Sequence, residues 1–339
     1  MTRTVFDAFA QATAVAALVA LVATASPSAR AAEVEMIMTN EIATTHWTAE
    51  IMEEYADLIE TRSLGRIDVQ IYHAGSLFKD KEAVAALGTG AVHMVWPVSV
   101  QLESVAPAYG VVNLPFSITD EVMLKEGAPQ ELAGMLSDFV ADRGLRVMGL
   151  MRTADLIFLF PDSFVETTAD LEGQKIRLTG GKVLQALMRE YGASPITMPA
   201  TEMAAALMQG AIDGIFTSYG GWRMVGVSAS KKATLVPGLS LLTYTVVADD
   251  AWLKDLPDDL RAVIEDTTAE MLATQWMRGI EGDKRERERM LGQGGALHVV
   301  EGDAHAAFRE GARRASQIFI DRHPEVWEAF QAFMRKHEG

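Results

Sequence analysis

The sequence predicts an α/β protein made of two similar halves. Three observations carry that prediction. The chain beyond residue 31 opens as strand, helix, strand; a segment starting at Glu82 recurs 120 residues later; and one very long helix is written near the C-terminus.

Val34-Glu35-Met36-Ile37-Met38 alternates as a strand does. The loop Thr39-Asn40-Glu41-Ile42-Ala43-Thr44-Thr45 leads into a helix from about His46 to Thr61, where Ile51, Tyr55, Leu58 and Ile59 fall at helical spacing. Ser63-Leu64-Gly65 ends it, and Ile67-Asp68-Val69-Gln70-Ile71 forms the next strand. A strand, helix, strand opening is the mark of a mainly parallel sheet.

The internal echo is the most informative pattern. Glu82-Ala83-Val84-Ala85-Ala86-Leu87-Gly88-Thr89-Gly90-Ala91-Val92 aligns with Glu202-Met203-Ala204-Ala205-Ala206-Leu207-Met208-Gln209-Gly210-Ala211-Ile212, and six of the eleven positions coincide. Each copy reads as a helix, a glycine at its C-terminal end, then a strand. The strands continue as His93-Met94-Val95-Trp96 and Asp213-Gly214-Ile215-Phe216. An alanine-rich helix also resembles itself by composition alone. If the repeat is structural, the chain holds two α/β domains whose strand-end loops, near Pro97 and Thr217, face one another across a cleft.

Further strands are expected over 145–151, 157–160, 175–178 and 243–247, with a helix running from Gly181 to Tyr191. From Asp258 a helix runs to about Met290, with Gly279 or Gly282 as candidate kink points. At ~1.5 Å per residue it spans ~50 Å, long enough to bridge two domains. Its run Asp283-Lys284-Arg285-Glu286-Arg287-Glu288-Arg289 fits a solvated helix face.

Composition narrows the function. The net charge of −16 argues against nucleic acid and against docking on an anionic membrane. No cysteine is present, which removes disulfides, a lipidated cysteine and a thiol nucleophile. The N-terminus carries a polar start at Arg3, the apolar run from Ala14 to Ala23, the breaker Ser26-Pro27-Ser28 and an A-x-A exit at Ala29-Arg30-Ala31. Those are the parts of a secretory signal, cut before Ala32, the alternative being a retained N-terminal anchor. The apolar run is short of the ~20 residues that span a bilayer, so the mature chain of 308 residues is expected to be soluble, periplasmic and without direct membrane insertion.

No nucleophile elbow, phosphate-binding loop or dinucleotide fingerprint occurs, and the seven histidines lack paired zinc spacing. The expectation is therefore no enzyme, no cofactor and no metal. Arg177 stands out. It lies between Ile176 and Leu178 in a strand, just before Thr179-Gly180-Gly181 and a helix start. A guanidinium fork, a hydroxyl and helix N-terminal N–H groups together suit an anion. A surface arginine or an internal salt bridge would have the same sequence. Arg152, just after a strand, is the weaker candidate.

At these residues a family resemblance emerges. The chain resembles the DctP-type periplasmic substrate-binding subunits of tripartite ATP-independent periplasmic (TRAP) transporters. The resemblance rests on Ser63-Leu64-Gly65-Arg66-Ile67, Tyr72-His73-Ala74-Gly75-Ser76-Leu77, Leu87-Gly88-Thr89-Gly90-Ala91-Val92-His93-Met94 and Asn113-Leu114-Pro115-Phe116. It continues with Asp170-Leu171-Glu172-Gly173-Gln174-Lys175-Ile176-Arg177, Gly192-Ala193-Ser194-Pro195-Ile196-Thr197-Met198 and the echo segment through Gly214.

The resemblance implies a two-lobed periplasmic-binding-protein-like fold, with a hinge and a long helix bridging both lobes. Lobe I is expected to comprise 32–151 with about 246–281, and lobe II about 152–245 with 282–339. It implies capture of a small organic carboxylate and delivery to TRAP membrane subunits; presentation to a sensor kinase, or a secreted hydrolase, are the alternatives. By the same resemblance Arg177 pairs with the ligand carboxylate and Arg152 is a second basic contact. Trp96, Thr217, Tyr219 and Trp222 fall in or near the strand-end loops, and Asn40 and His46 in the first loop. Thr217 stands where sugar-acid binders tend to carry asparagine, which disfavours a sialic-acid-like ligand. Trp47, Trp96, Phe216, Tyr219 and Trp222 would form an apolar wall if they face the cleft, suiting an aromatic or short aliphatic monocarboxylate such as a keto or hydroxy acid.

Mass spectrometry of the exported protein is expected to find its N-terminus within a residue or two of Ala32; an intact Met1 would contradict the cleavage site.

Overall fold

The computed structural model describes residues 32–338, so the leader and its cleavage site lie outside the described residues. In chain order the strands are β1 (Val34–Thr39), β2 (Ile67–Tyr72), β3 (Met94–Val95), β4 (Leu145–Asp155), β5 (Ile157–Phe160), β6 (Lys175–Leu178), β7 (Ser194–Thr197), β8 (Gly214–Thr217), β9 (Lys232–Leu235), β10 (Leu241–Asp249) and β11 (Ala296–Val299). The helices are α1 (Trp47–Arg62), α2 (Asp80–Ala86), α3 (Asp120–Met123), α4 (Ala128–Asp138), α5 (Lys182–Glu190), α6 (Met203–Met208), α7 (Tyr219–Val225), α8 (Asp250–Asp255), α9 (Asp258–Gly292), α10 (Gly302–Ile320) and α11 (Pro324–His337). Short 3-10 turns fill several connections, among them 99–104 and 107–113.

The strands form two sheets, ordered β2-β1-β3-β10-β4 and β11-β9-β5-β8-β6-β7. The two share a topology. β1 is flanked in parallel by β2 and β3, and β10 closes against β3 in the antiparallel sense. Likewise β6 is flanked in parallel by β7 and β8, and β5 closes antiparallel against β8. The echoed segments occupy matching places, α2 entering β3 and α6 entering β8. In both, a glycine in the left-handed region ends the helix region: Gly88 at φ +82° and Gly210 at φ +69°.

The strands expected at 34–38, 67–71, 157–160 and 175–178 form within a residue of those limits. Three others, β7, β9 and β11, carry no clear signal in the sequence. β7 includes Pro195, which removes a ladder donor, and it survives because it is an edge strand paired only with β6.

Each sheet is covered on both faces. In the first, Met36, Met38, Met94 and Trp96 pack under α1 and the first half of α9, while Val95, Val147, Leu150 and Val247 pack on the other face against α4 and α11. In the second, Ile157, Leu159 and Ile215 face Trp222 and Met290, while Phe158, Phe160, Ile176 and Leu178 face α5 and α10. Alternate side chains of one strand thus serve opposite layers. The chain crosses between the two lobes at Leu156, over 236–240, along α9, and again between α10 and α11. The last crossing follows because α11 puts Phe330 and Phe333 into the core shared with Leu132 and Leu136 of α4. The division expected from sequence, with all of 282–339 in the second lobe, does not include that return.

Helix α9 is continuous for 35 residues through Gly279 and Gly282, about 52 Å. These glycines permit close approach rather than breaking the helix. A Cβ on Gly279 would lie 2.3 Å from the Arg152 carbonyl oxygen, and one on Gly282 would lie 2.6 Å from the Trp47 ring. By contrast, Gly134 in α4 has open space where its Cβ would be. Gly279→Ala should therefore lower stability by about 1–3 kcal/mol despite alanine's higher helix propensity, whereas Gly134→Ala should raise it by about 0.5–1 kcal/mol. Urea unfolding of both variants checks this; a stabilised Gly279→Ala would show that the helix does not need this proximity.

Candidate functional site

Arg177 is the third residue of β6. Its neighbours Ile176 and Leu178 point into the core beneath α5, so strand alternation sends Arg177 to the opposite side, at the strand's C-terminal end. It is 1% exposed. Its Nε and Nη2 donate to the Met198 carbonyl oxygen at 3.1 and 2.8 Å. A guanidinium has five N–H donors; the carbonyl takes one edge and leaves the end-on Nη1/Nη2 pair, the edge that grips a carboxylate in two places. Burial pulls the Arg177 pKa down to about 10, so the group is still cationic at neutral pH. Among the described residues, no carboxylate comes within ion-pair distance of it.

Arg177 lines a cavity between the lobes. Thr179, Met203, Thr217 and Ser218 come from the second lobe, Glu41, Ile42, His46, Asp80 and Val98 from the first, and Leu242 and Tyr244 from β10. The lobes touch around it: Lys79 Nζ meets Glu202 at 3.0 Å, and Arg223 donates to the Thr45 carbonyl oxygen at 2.9 Å. The enclosed volume of about 40 Å³ holds only a water or two. An organic acid therefore enters only if the walls part.

His46 and Thr217 reach the cavity because of two glycines. A Cβ on Gly220 would lie 2.3 Å from His46 Nε2, and one on Gly221 would lie 2.1 Å from Thr217 Oγ1. Burial, with Arg223 nearby, holds the His46 pKa down at about 4, so the ring is neutral. Its Nδ1 accepts the Thr48 amide N–H at 3.2 Å, which assigns the proton to Nε2 and makes that atom a donor.

Two acidic groups, Glu41 and Asp80, join the site without having stood out in the sequence. Asp80 is wholly buried at the start of α2. Its two oxygens accept the amides of Glu41 at 3.1 Å and Val98 at 2.9 Å, tying together the loops that follow β1 and β3. Burial and the neighbouring Glu41 push its pKa up to about 7. Burial likewise raises that of Glu41. A signal for Asp80 does exist: an offset of 120 relates it to Ala200, and Val98 to Ser218, and all four line the cavity. The echo thus marks the rim of the cavity as well as the fold.

The other singled-out residues sit elsewhere. Asn40 is buried behind the first loop, where its Oδ1 accepts the Ile42 amide at 2.7 Å and its backbone carbonyl accepts that of Gly75, so it shapes the loop carrying Glu41. Trp96 is packed against Tyr55 in the first lobe's core. Tyr219 and Trp222 lie in the second lobe's core, Trp222 donating to the Ser230 carbonyl oxygen at 2.7 Å. Trp47 and Phe216 are core residues too. The expected aromatic wall is thus absent from the cavity, because these rings fill the layers between sheets and helices. Beyond the rings of His46 and Tyr244, the lining is aliphatic, thioether, hydroxylic and charged.

Arg152, 3% exposed, lies at the crossing between lobes. Its Nε donates to Asp120 Oδ1 at 2.7 Å and its Nη2 to Asp155 Oδ2 at 3.2 Å, and Asp283 Oδ2 of α9 stands 3.7 Å from Nη1. The structure does not bring it to the Arg177 cavity. Two roomier grooves also exist. One of about 320 Å³ lies beside Lys182, Phe319 and Arg322. The other, of about 520 Å³, holds Arg314, already paired with Glu190 and Glu310. Neither is lined by a strand residue.

Comparisons with known proteins bear on the family and the fold. The family described as bacterial extracellular solute-binding protein, family 7, matches residues 38–322. The C4-dicarboxylate-binding periplasmic protein DctP of Rhodobacter capsulatus is 27% identical over 267 residues, covering 76% of this chain and 78% of that protein. A TRAP periplasmic solute-binding protein from Shewanella oneidensis, solved with succinate, superimposes with a TM-score of 0.81 at 24% identity, covering 88% and 99% of the two chains. One from Roseobacter denitrificans, solved with β-D-glucuronate, gives 0.80 at 17% identity, covering 88% and 98%.

The Arg152 cluster makes its own prediction. Removing one partner of a buried ion pair costs about 3–5 kcal/mol, and Arg152→Ala should lose that much. Burial pushes the Asp283 carboxyl up to about 7 and raises that of Asp155. Without the guanidinium both rise further, so the folded variant binds more protons than its unfolded chain. The wild type already loses stability as pH rises from about 4 through 7, and the variant goes on losing it above 7, where the wild type levels off. Urea unfolding should show a larger deficit at about pH 8 than at about pH 5.5; a deficit independent of pH would uncouple these acids from Arg152.

Proposed function

The chain belongs to the bacterial extracellular solute-binding protein family 7, and on that premise we propose that it captures a small organic carboxylate outside the cytoplasmic membrane and hands it to a TRAP-type membrane transporter. The observation that supports this most is Arg177: a buried cation at a strand end, anchored along one edge by a carbonyl and lacking, among the described residues, a carboxylate partner at ion-pair distance. A buried charge is costly unless paired. A ligand carboxylate would meet that need with two parallel N–H···O bonds. The relatives support the same chemistry, being named for C4-dicarboxylates or solved with succinate, glucuronate or pyroglutamate.

Binding and closure are one event in this reading. Arg177, Thr179 and Thr217 belong to one lobe and Glu41 and His46 to the other. A solute that touches both favours the closed arrangement by its differential affinity for it. The leader sequence supports delivery to the periplasm, and no helix among the described residues is long and apolar enough to cross a membrane. Arg152, held by its own carboxylates, then serves the crossing between lobes rather than the ligand.

Removing the guanidinium would leave a ligand carboxylate buried and unpaired, at about 2–5 kcal/mol. Arg177→Ala should therefore weaken binding roughly 30- to several-thousand-fold, and Arg177→Lys should recover only part, since a point charge lacks the fork. A thermal-shift screen of organic acids identifies a ligand, and calorimetry on the folded variants measures the loss. Binding of that acid by Arg177→Ala within about threefold of wild type would refute the assignment.

A further inference from the structure

We propose that the solute is a monocarboxylate that also carries a hydrogen-bond-donating substituent, an ammonium or a hydroxyl, and that Glu41 selects for it. This rests on the reading that Arg177 takes the carboxylate. Glu41 lines the same cavity from the opposite lobe and is 9% exposed. Its Oε1 is buried with no hydrogen-bond partner. An ionised carboxylate oxygen can only accept, and a buried charged acceptor left unpaired is expensive. A donor brought by the solute removes that cost.

Glu41 is also held in place for the task. Its amide donates to Asp80, and the next residue's amide donates to Asn40. Asp80 commits both of its oxygens to backbone amides, so of the two acids Glu41 is the one left to address the solute.

The charge balance favours the same class. The charged groups lining the cavity are Arg177, Glu41 and Asp80. With both acids ionised they carry one net negative charge. A dicarboxylate would add two more where water cannot screen them; a zwitterion adds none and a hydroxy acid one. That burial already raises both carboxyls is consistent with a site that resists further negative charge. The site thus departs from the C4-dicarboxylates for which several relatives are named.

The test is titration calorimetry of the mature protein against four acids with the same carbon backbone: succinate, butyrate, 3-hydroxybutyrate and 4-aminobutyrate. At least one of the last two should bind about ten- to a hundredfold more tightly than butyrate or succinate. Glu41→Gln, with its fold confirmed by circular dichroism, should reduce that preference to within about threefold. If succinate binds most tightly, the acids serve as proton donors to a dianion, and the proposal is overturned while the carboxylate reading stands. The proposal is likewise overturned, and the carboxylate reading kept, if butyrate matches the donor-bearing acids or if the preference survives in Glu41→Gln. If none of the four binds, the proposal is overturned while the carboxylate reading stands; if Arg177→Ala binds them as wild type does, the carboxylate reading fails and the proposal with it.

Discussion

A guanidinium taken out of water must find an anion, and this fold meets that constraint in two different ways. Arg152 has Asp120, Asp155 and Asp283 around it, drawn from a loop helix, the crossing strand and α9. Its charge is settled within the chain, and the cluster ties the two lobes' crossing together. Arg177 is as deeply buried but is given a carbonyl on one edge and, among the described residues, no carboxylate at ion-pair distance. Desolvation is the largest influence on both groups, yet the nearby carboxylates raise Arg152 overall while Arg177 is drawn down. The same side chain is structural in one place and available for recognition in the other.

The repeated topology explains why the available arginine faces the unpaired acid. β1 and β6 are the central parallel strands of equivalent units, each flanked by a parallel neighbour on either side. Glu41 follows the end of β1 and Arg177 lies at the end of β6. When two such units meet with their strand ends opposed, groups of opposite charge approach from opposite lobes, and a small solute is the natural bridge between them.

Glycines let the halves come close enough for this to matter. Gly220 admits His46 from the other lobe and Gly221 leaves room for Thr217 within its own, while Gly279 and Gly282 bring α9 against the Arg152 carbonyl and the Trp47 ring. Close contact leaves room for little water, and the low local dielectric gives each of the cavity's few polar groups its weight. A site of this kind is specified as much by residues without side chains as by those that carry the chemistry.

Sequence alone determined the parts that depend on local pattern. Period-two alternation marked β1, β2 and β6, a short apolar run ended by Pro161 marked β5, helical spacing marked α1, an acidic start after Pro257 and sheer length marked α9, and the echo at 120 residues marked the two equivalent units. Arg177 was legible because a cation set between Ile176 and Leu178, just before a glycine turn, is locally anomalous. Edge strands such as β7 were not legible, since only a neighbour's ladder makes a proline-bearing segment a strand. Tertiary structure decided the rest of the site. Trp96, Tyr219 and Trp222 look from sequence like cleft residues, yet their rings fill cores, while Glu41 and Asp80 look like ordinary surface acids, yet they are buried beside the cavity. Whether an aromatic ring or a carboxylate faces core, solvent or cleft depends on how separate elements pack, and no local pattern encodes that.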